Sequence, residues 1–216
     1  MTRNPLNRCR LIVISLTAIL GTLLGIWYLD ERIALGIMQL LRSNNALRLA
    51  TAKIPDTLLL LVCFGSAFMW LIYIYLTRKN GNKEMQRFLQ LAATAVPAAY
   101  ISKAYLQYAF GRTNTRFWLN NDVVLQFSWF HGAGVGGFPS GHMAVFTAFG
   151  AAIWFIYPRF RNYTALGLLL LAAALMATNY HFLSDVIAGA YLGLMVTCTI
   201  LLLLGKTGAR LWVGYK

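Results

Sequence analysis

The stretch GGFPSGHMAVFTAFGAAIWFIY, residues 136–157, contains two patterns that decide how the rest of the chain is interpreted. Residues 136–142 are rich in glycine and include a proline, a serine and a histidine, whereas residues 143–157 are almost entirely apolar. An apolar run that approaches the roughly 20 residues needed to cross a hydrocarbon core predicts a membrane-spanning helix. The polar residues at its start are then expected where that helix meets the membrane surface.

The whole chain is far more apolar than a soluble domain, in which about 45–50% of residues are apolar. Of its 216 residues, 59% are hydrophobic and 12% are charged, and the mean hydropathy is +0.60. The net charge is +13, but the basic residues form short clusters between apolar runs, so nucleic-acid binding is not expected. The three widely spaced cysteines, Cys9, Cys63 and Cys198, predict neither a disulfide framework nor a metal site.

Six apolar stretches predict an all-α integral membrane protein with six transmembrane helices, built as a single membrane domain over residues 1–216. The stretches are residues 11–29, 57–76, 88–108, 141–157, 163–180 and 186–204. No small-residue cleavage site follows the first stretch, so it is interpreted as an anchor rather than a signal peptide. Residues 30–55 are too polar to cross, and their apolar residues at helical spacing predict an amphipathic helix on the outer membrane surface. That helix either shapes a lipid entrance or packs against the neighbouring spans.

The distribution of positive charge predicts the orientation. The two termini and the loops on their side of the membrane carry 12 Lys or Arg and one acid, whereas the opposite side carries seven and five. By the positive-inside rule, both termini are expected in the cytoplasm. The remaining polar residues gather on the outer face: Arg112, Arg116, the Pro-Ser-Gly-His sequence at 139–142, His181 and Asp185. The 39 residues between His142 and His181 fit two crossings and a short turn.

Residues 139–142 have the features of an anion site at a helix start. Pro139 pre-sets the backbone, Ser140 can cap the first turn with its hydroxyl, and Gly141 lets a ligand approach the backbone. The N–H groups and dipole of the helix favour a phosphate there, and His142 would face it. A simple helix cap, with a histidine that reaches the membrane interface, is the alternative.

The segment HFLSD, residues 181–185, places His181 and Asp185 on one helical face, where the carboxylate can hold an imidazole nitrogen. An ionisable residue at the mouth of a span is costly unless paired, which favours a functional role over a purely structural His–Asp link. A histidine oriented in this way is a competent nucleophile toward phosphorus, and His142 can protonate the departing oxygen. The scheme requires no cofactor or metal. A zinc site on the same three residues is conceivable from ligand types but lacks a compact motif.

These residues resemble the motifs of the type-2 phosphatidic acid phosphatase superfamily, six-helix membrane enzymes that hydrolyse lipid phosphate esters. The family pattern is KxxxxxxRP, then PSGH, then SRxxxxxHxxxD. PSGH is complete at 139–142, and His181 and Asp185 match the end of the third motif. The resemblance covers roughly residues 90–200, within a predicted phosphatase core at 88–204. It implies that His181 forms a phosphohistidine, that Asp185 orients it, and that His142 is the general acid.

The sequence departs from the family pattern at its cationic positions. Aligning FGR at 110–112 with the family's usual FGRPRP puts Gln107 at the lysine and Asn114-Thr115 at the Arg-Pro, while Ala174 and Leu175 stand at the Ser-Arg of the third motif. Lys103 lies one turn before Gln107 on the same helix face and is a candidate replacement for the lysine. Arg116 is a candidate replacement for a lost arginine. The predicted phosphate-binding set is therefore Lys103, Arg112, Arg116, Ser140 and Gly141.

The predicted function is metal-independent removal of phosphate from a membrane lipid phosphate or pyrophosphate, at the periplasmic face of a bacterial inner membrane. The segments FGRTNTRFWLNN and FSWFHGAGVGGFPSGH also resemble bacterial lipid phosphatases, some of which act on lipid A. Undecaprenyl pyrophosphate and glycerophospholipids are the other substrate candidates. A lipid phosphotransferase and a noncatalytic lipid-binding or transport protein are the alternatives, and the oligomeric state is not predicted. His131, beside Trp129 and Phe130, either contacts a head group or lies at the membrane interface.

Overall fold

The computed structural model describes residues 8–42, 57–121, 123–131 and 136–207, and these residues are predominantly helical. The helices are α1 (Arg8–Leu24), α2 (Asp30–Arg42), α3 (Thr57–Arg78), α4 (Lys83–Phe110), α5 (Thr115–Asn121), α6 (Gly141–Ile156), α7 (Arg161–Ala177) and α8 (Leu183–Thr207). A π-helical turn, Gly25–Leu29, joins α1 to α2, and a 3₁₀ turn, Pro158–Phe160, leads into α7. Within the described ranges, β-type pairing is limited to two isolated bridges, Arg112 with Phe127 and Thr113 with Gly136.

Several of these helices are suited to the interior of a membrane. Among the described residues, four helical segments are long and apolar enough to cross it: Cys9–Leu40, Leu60–Arg78, Pro158–Ala177 and Leu183–Gly205. Helix α6 is apolar but shorter, and α4 covers the remaining predicted span. Large apolar side chains such as Phe64 on α3 and Leu169 on α7 are exposed at 71% and 68%, which suits lipid rather than water. The fold is therefore that of an all-helical, multi-pass membrane protein.

Helices α6 and α8 pack so closely that glycine is required between them. A Cβ added to Gly193 would lie 2.2 Å from the Ala144 carbonyl oxygen, and one added to Gly189 would lie 2.5 Å from that of Ser140. Two glycines four residues apart on one helix face are a common device for close helix contact in membranes. Their consequence here is that the start of α6, residues 139–142, lies directly against the start of α8.

The segment after the first span differs from the prediction. Residues 30–55 were expected to form an amphipathic helix on the outer membrane surface; residues 30–42 do form a helix, α2, but helical structure runs into it from α1 through the π turn. Asp30, expected in a polar surface segment, is only 1% exposed, because it finds an ionic partner in the protein interior. Residues 43–55 of that predicted helix lie outside the described residues. So do Arg3, Arg210 and Lys216, which contributed to the predicted orientation.

Candidate active site

A tight loop between α7 and α8 positions His181. The backbone N–H of Tyr180 donates to the Leu175 carbonyl at 2.9 Å, and that of His181 donates to the same oxygen at 3.3 Å. Asn179 makes the reversal possible with a φ of 48°, a left-handed conformation that asparagine tolerates better than most residues. The chain thereby turns back over the end of α7 and directs His181 toward α6.

Asp185 lies one turn further on, in the first turn of α8, where the helix dipole favours a carboxylate. Its Oδ2 accepts a hydrogen bond from the Phe182 backbone N–H at 3.1 Å and lies 3.5 Å from Nδ1 of His181. At that second distance Nδ1 makes no hydrogen bond to the carboxylate, and such long contacts are common at catalytic sites before substrate binds. With Nδ1 on the Asp185 side, Nε2 is the nitrogen on the opposite side of the ring.

The PSGH sequence brings the second histidine to the same place. Ser140 is the N-cap of α6, with its Oγ accepting from the Met143 N–H at 3.3 Å, and its own N–H donates to the Asp185 carbonyl at 2.9 Å. These bonds tie the start of α6 to the start of α8. The ring centroids of His142 and His181 are 6.5 Å apart. The structure thus brings together the three residues to which the sequence assigned catalysis.

Tyr180 and Arg116 extend this cluster, and the sequence analysis assigned Tyr180 no role. The Tyr180 ring centroid is 5.2 Å from that of His142 and 5.1 Å from that of His181. The Arg116 guanidinium carbon lies 4.7 Å from the Tyr180 ring centroid, and its Nη2 donates to the Thr178 carbonyl at 3.1 Å. Burial lowers the pKa of Arg116, an effect that Tyr180 opposes. An arginine nevertheless remains charged at neutral pH.

Lys103 crosses directly over the start of α6. A Cβ added to Gly141 would lie 2.6 Å from Lys103 Cε and 3.2 Å from its Nζ. Nζ also lies 4.9 Å from the centroid of the Tyr100 ring. The absence of a side chain at Gly141 therefore lets an ammonium group approach the helix N-terminus, where the sequence predicted an anion site.

Arg112 lies in a different environment from the other two cations. It is 1% exposed, and its Nη1 donates to Asp185 Oδ1 and to Ser184 Oγ, each at 2.6 Å. Its Nη2 donates to Asp30 Oδ2 at 2.7 Å. Ser184 completes the group by donating its hydroxyl to Asp30. We call Asp30, Arg112, Ser184 and Asp185 the buried ionic network. Arg112, predicted to bind phosphate, uses both amino groups on carboxylates.

The residues at the three altered family positions make structural contacts instead. Gln107 donates its side-chain amide to the Pro139 carbonyl at 3.0 Å and so supports the loop before α6. Asn114 accepts from the N–H groups of Arg116 and Phe117 at 3.0 and 3.4 Å and so begins α5. Leu175 is buried in an apolar cluster at the end of α7. The cations near the two histidines, Lys103 and Arg116, therefore stand at other positions of the sequence.

Two further expectations concern His131 and metal ions. His131 is exposed, and its Nδ1 lies 2.6 Å from the carbonyl oxygen of Trp129 in the same turn. Trp129 and Phe130 beside it are exposed at 57% and 61%, which suits a loop at the membrane interface. Across the described part of the chain, no group of three or more His, Cys, Asp or Glu side chains is arranged to hold a metal ion.

Residues 91–209 match the family described as the PAP2 superfamily. Because this match covers more than half of the chain and includes both histidine motifs, the chain belongs to the PAP2 superfamily. The predicted resemblance to this superfamily is thereby confirmed.

The chain also resembles a solved structure. The crystal structure described as the first transmembrane PAP2 type phosphatidylglycerolphosphate phosphatase from Bacillus subtilis is similar over 95% of this chain and 98% of its own, with 17% identity and a TM-score of 0.48. That likeness is too distant to indicate a substrate. None of the curated proteins matches the chain significantly.

Proposed function

We propose that the protein removes phosphate from a membrane lipid phosphate or pyrophosphate through a phosphohistidine on His181, without a metal ion. The observation that carries this proposal is the arrangement of two imidazole rings 6.5 Å apart, one of which has a buried carboxylate on its Nδ1 side. Such a pair can supply a nucleophile and a general acid to one phosphoryl group. Fixed cations at the same place stabilise the charge on its oxygens.

In the first step, the Nε2 lone pair of His181 forms a bond to phosphorus while the bond from phosphorus to the lipid oxygen breaks. The departing oxygen takes a proton from His142, so the lipid leaves as an alcohol or, from a pyrophosphate, as a monophosphate. The His181 ring gains positive charge, and Asp185 on its Nδ1 side stabilises that charge.

In the second step, a water molecule attacks the phosphorus of the phosphohistidine. His142, now neutral, accepts a proton from that water while the bond from phosphorus to Nε2 breaks. Inorganic phosphate leaves, and both histidines return to their starting protonation states. The two steps consume one water molecule for each lipid phosphate hydrolysed.

The phosphate cradle in this proposal consists of Lys103, Arg116 and the N-terminus of α6 at Ser140 and Gly141. Lys103 lies against Gly141, and Arg116 lies beside Tyr180, which contacts both histidines. Both cations are partly accessible, in contrast to Arg112. We therefore assign Arg112 to holding Asp185, and the other two to holding the phosphate.

The proposed setting is a bacterial inner membrane crossed six times, with both termini in the cytoplasm and the site at the periplasmic face. The basic loops between spans support this orientation. The site is formed by the starts of α6 and α8 and by the segments following α4 and α7. The exposed Trp129 and Phe130 suit the membrane interface beside it.

The test is phosphate release by the detergent-purified protein in excess chelator, with lipid A, undecaprenyl pyrophosphate, phosphatidylglycerol phosphate and phosphatidic acid as substrates. We expect the wild type to release phosphate from at least one lipid and His181→Ala to release none. His131→Ala is the matched control and should keep full activity. Activity in His181→Ala, or dependence on an added metal, would reject the mechanism. A phosphorylated lipid as product would indicate a phosphotransferase, and inactivity of the folded wild type would favour lipid binding.

A further inference from the structure

Helix α2 contacts the loop that carries His181 at two points, one on each side of the histidine. On one side, the Asn179 amide donates to the Ala34 carbonyl at 3.2 Å. On the other side, the Ser184 N–H donates to Asp30 Oδ1 at 3.0 Å, and the Ser184 hydroxyl donates to the same carboxylate. Asp30 lies outside residues 91–209, which match the family. An N-terminal helix thus contributes a carboxylate to the surroundings of the proposed nucleophile.

The backbone around this contact is built for close approach. A Cβ added to Gly25, in the π turn before Asp30, would lie 2.9 Å from Ser184 Cβ and 3.3 Å from Asp30 Oδ1. Only a glycine therefore lets the turn lie against the start of α8. The result is that the Asp30 carboxylate reaches both Ser184 and Arg112.

The charges of the buried ionic network do not cancel. Arg112 is paired with two carboxylates, Asp30 at 2.7 Å and Asp185 at 2.6 Å, and the side chains of all three are at most 1% exposed. With both carboxylates in their ionised form, the three side chains carry two negative charges and one positive charge, which leaves one negative charge in excess. His181, at 3.5 Å from Asp185, is the ionisable group that this excess charge faces across the loop.

This excess charge has a chemical consequence. If Arg112 were paired with Asp185 alone, the pair would be neutral overall, and the arginine would offset part of the stabilisation that Asp185 gives to a positive charge on the neighbouring imidazole. With Asp30 as a second partner of Arg112, the network keeps a net negative charge. Charge interactions are strong in a buried, water-poor site, and fixed charge that matches the transition state lowers the barrier.

We propose that Asp30 is a positioning residue for the reaction of His181, acting through Arg112 and Ser184 to keep an uncompensated negative charge on the Asp185 side of the imidazole. The inference rests on the phosphohistidine mechanism proposed above. Asp30 touches no reacting atom in this account. Its effect falls on the step in which the His181 ring becomes positively charged, and so on kcat rather than on KM.

The test compares Asp30→Asn with Glu31→Gln in purified protein, using whichever of the four lipids above the wild type hydrolyses fastest. The two variants remove the same charge from adjacent positions on one helix, but Glu31 is exposed. For Asp30→Asn we expect kcat to fall by about 10- to 100-fold with KM within about twofold of wild type, the pattern of a lost transition-state interaction. Glu31→Gln should match the wild type in both constants.

Two outcomes of that comparison would overturn the inference. One is a kcat for folded Asp30→Asn equal to that of Glu31→Gln. The other is a raised KM together with a lower thermal unfolding temperature and an unchanged kcat, which would make Asp30 only an anchor for α2. If Asp30→Asn does not fold, Asp30→Ser decides instead, because it removes the same charge and keeps an oxygen that can accept a hydrogen bond from the Ser184 N–H. A reduced kcat in that variant supports the inference, and an unchanged kcat rejects it.

Measuring the turnover of His181→Ala beside these variants distinguishes a failure of the phosphohistidine mechanism from a failure of the inference about Asp30. If His181→Ala retains turnover, the phosphohistidine mechanism is wrong, and the proposed role of Asp30, which depends on that mechanism, is rejected as well. If His181→Ala is inactive and Asp30→Asn is fully active, the mechanism stands and the inference about Asp30 alone is rejected.

Discussion

The two halves of the candidate site differ in their exposure to solvent. Around His181, the residues Asp185, Arg112 and Asp30 are at most 1% exposed and bonded to one another. Around His142, the cations Lys103 and Arg116 are partly accessible and contact aromatic rings. In the proposed mechanism, the first half orients the nucleophile and the second half, which is open to solvent, receives the phosphate. The comparison shows that two arginines only four residues apart lie in opposite environments, Arg112 buried among carboxylates and Arg116 partly accessible.

The largest effect should come from removing the cation of the buried half. Arg112→Leu leaves two carboxylates buried without a counter-charge, and breaking a buried ion pair in this way costs about 3–5 kcal/mol of unfolding free energy. Thermal unfolding in detergent should show this loss, together with loss of phosphate release. Arg112→Lys is the matched control. It keeps the positive charge but lacks the two amino groups that bond Asp30 and Asp185 separately, so its unfolding temperature should lie between those of Arg112→Leu and the wild type. An unchanged unfolding temperature in Arg112→Leu would show that the network contributes nothing to stability.

In the open half, His142→Gln should reduce kcat by about 10²- to 10⁴-fold, because general acid catalysis typically contributes that much. The reduction should shrink for an aryl phosphate ester, whose leaving oxygen needs no proton. Comparing kcat for the natural lipid and for a p-nitrophenyl analogue in both proteins measures this difference. An equal reduction for both substrates would contradict the assignment of His142 as the acid.

Lys103→Met should weaken substrate binding while leaving the buried half intact. Hydrogen bonds to charged groups contribute about 1.5–3 kcal/mol, so KM should rise about 10- to 100-fold with a smaller change in kcat. Steady-state kinetics on the preferred lipid check this, with Lys79→Met, on the opposite side of the predicted membrane, as the control. A normal KM in Lys103→Met would remove Lys103 from the phosphate cradle.

The smallest effect is expected at Asn179, on the edge of the catalytic loop. Asn179→Gly keeps the left-handed backbone and loses only the hydrogen bond to the Ala34 carbonyl, at a cost of about 1 kcal/mol. Asn179→Ala also adds backbone strain of about 1–3 kcal/mol. Unfolding measurements on both variants should therefore rank Ala below Gly. The reverse order would contradict the turn geometry.

The sequence predicted the meeting of the three proposed catalytic residues better than it predicted their surroundings. His142, His181 and Asp185 come from short motifs whose separation matches two membrane crossings, so local spacing was enough to predict their meeting. The start of α6 at Gly141 was predicted for the same reason, since the cap residues are adjacent in sequence.

Asp30 shows what local patterns do not reveal. An acidic residue directly after an apolar span indicates the membrane surface, because burying a charge is costly. Its partner Arg112 is distant in sequence, and neither residue carries a signal that it will meet the other. The same contact explains why Arg112, predicted from its motif to bind phosphate, is buried: it pairs with two carboxylates that converge only in the folded chain.

The most direct test of the account is to follow phosphorus onto the protein. The lipid that the wild type hydrolyses fastest would be labelled with ³²P and mixed with the wild-type protein in excess chelator. The reaction would be stopped within milliseconds by alkali, and the labelled peptide would be identified. We predict an alkali-stable, acid-labile phosphate on His181, reduced in rate of appearance in His142→Gln and absent in His181→Ala. Turnover with no labelled protein, or with label on another residue, would contradict the central claim that the buried half of the site makes His181 the nucleophile.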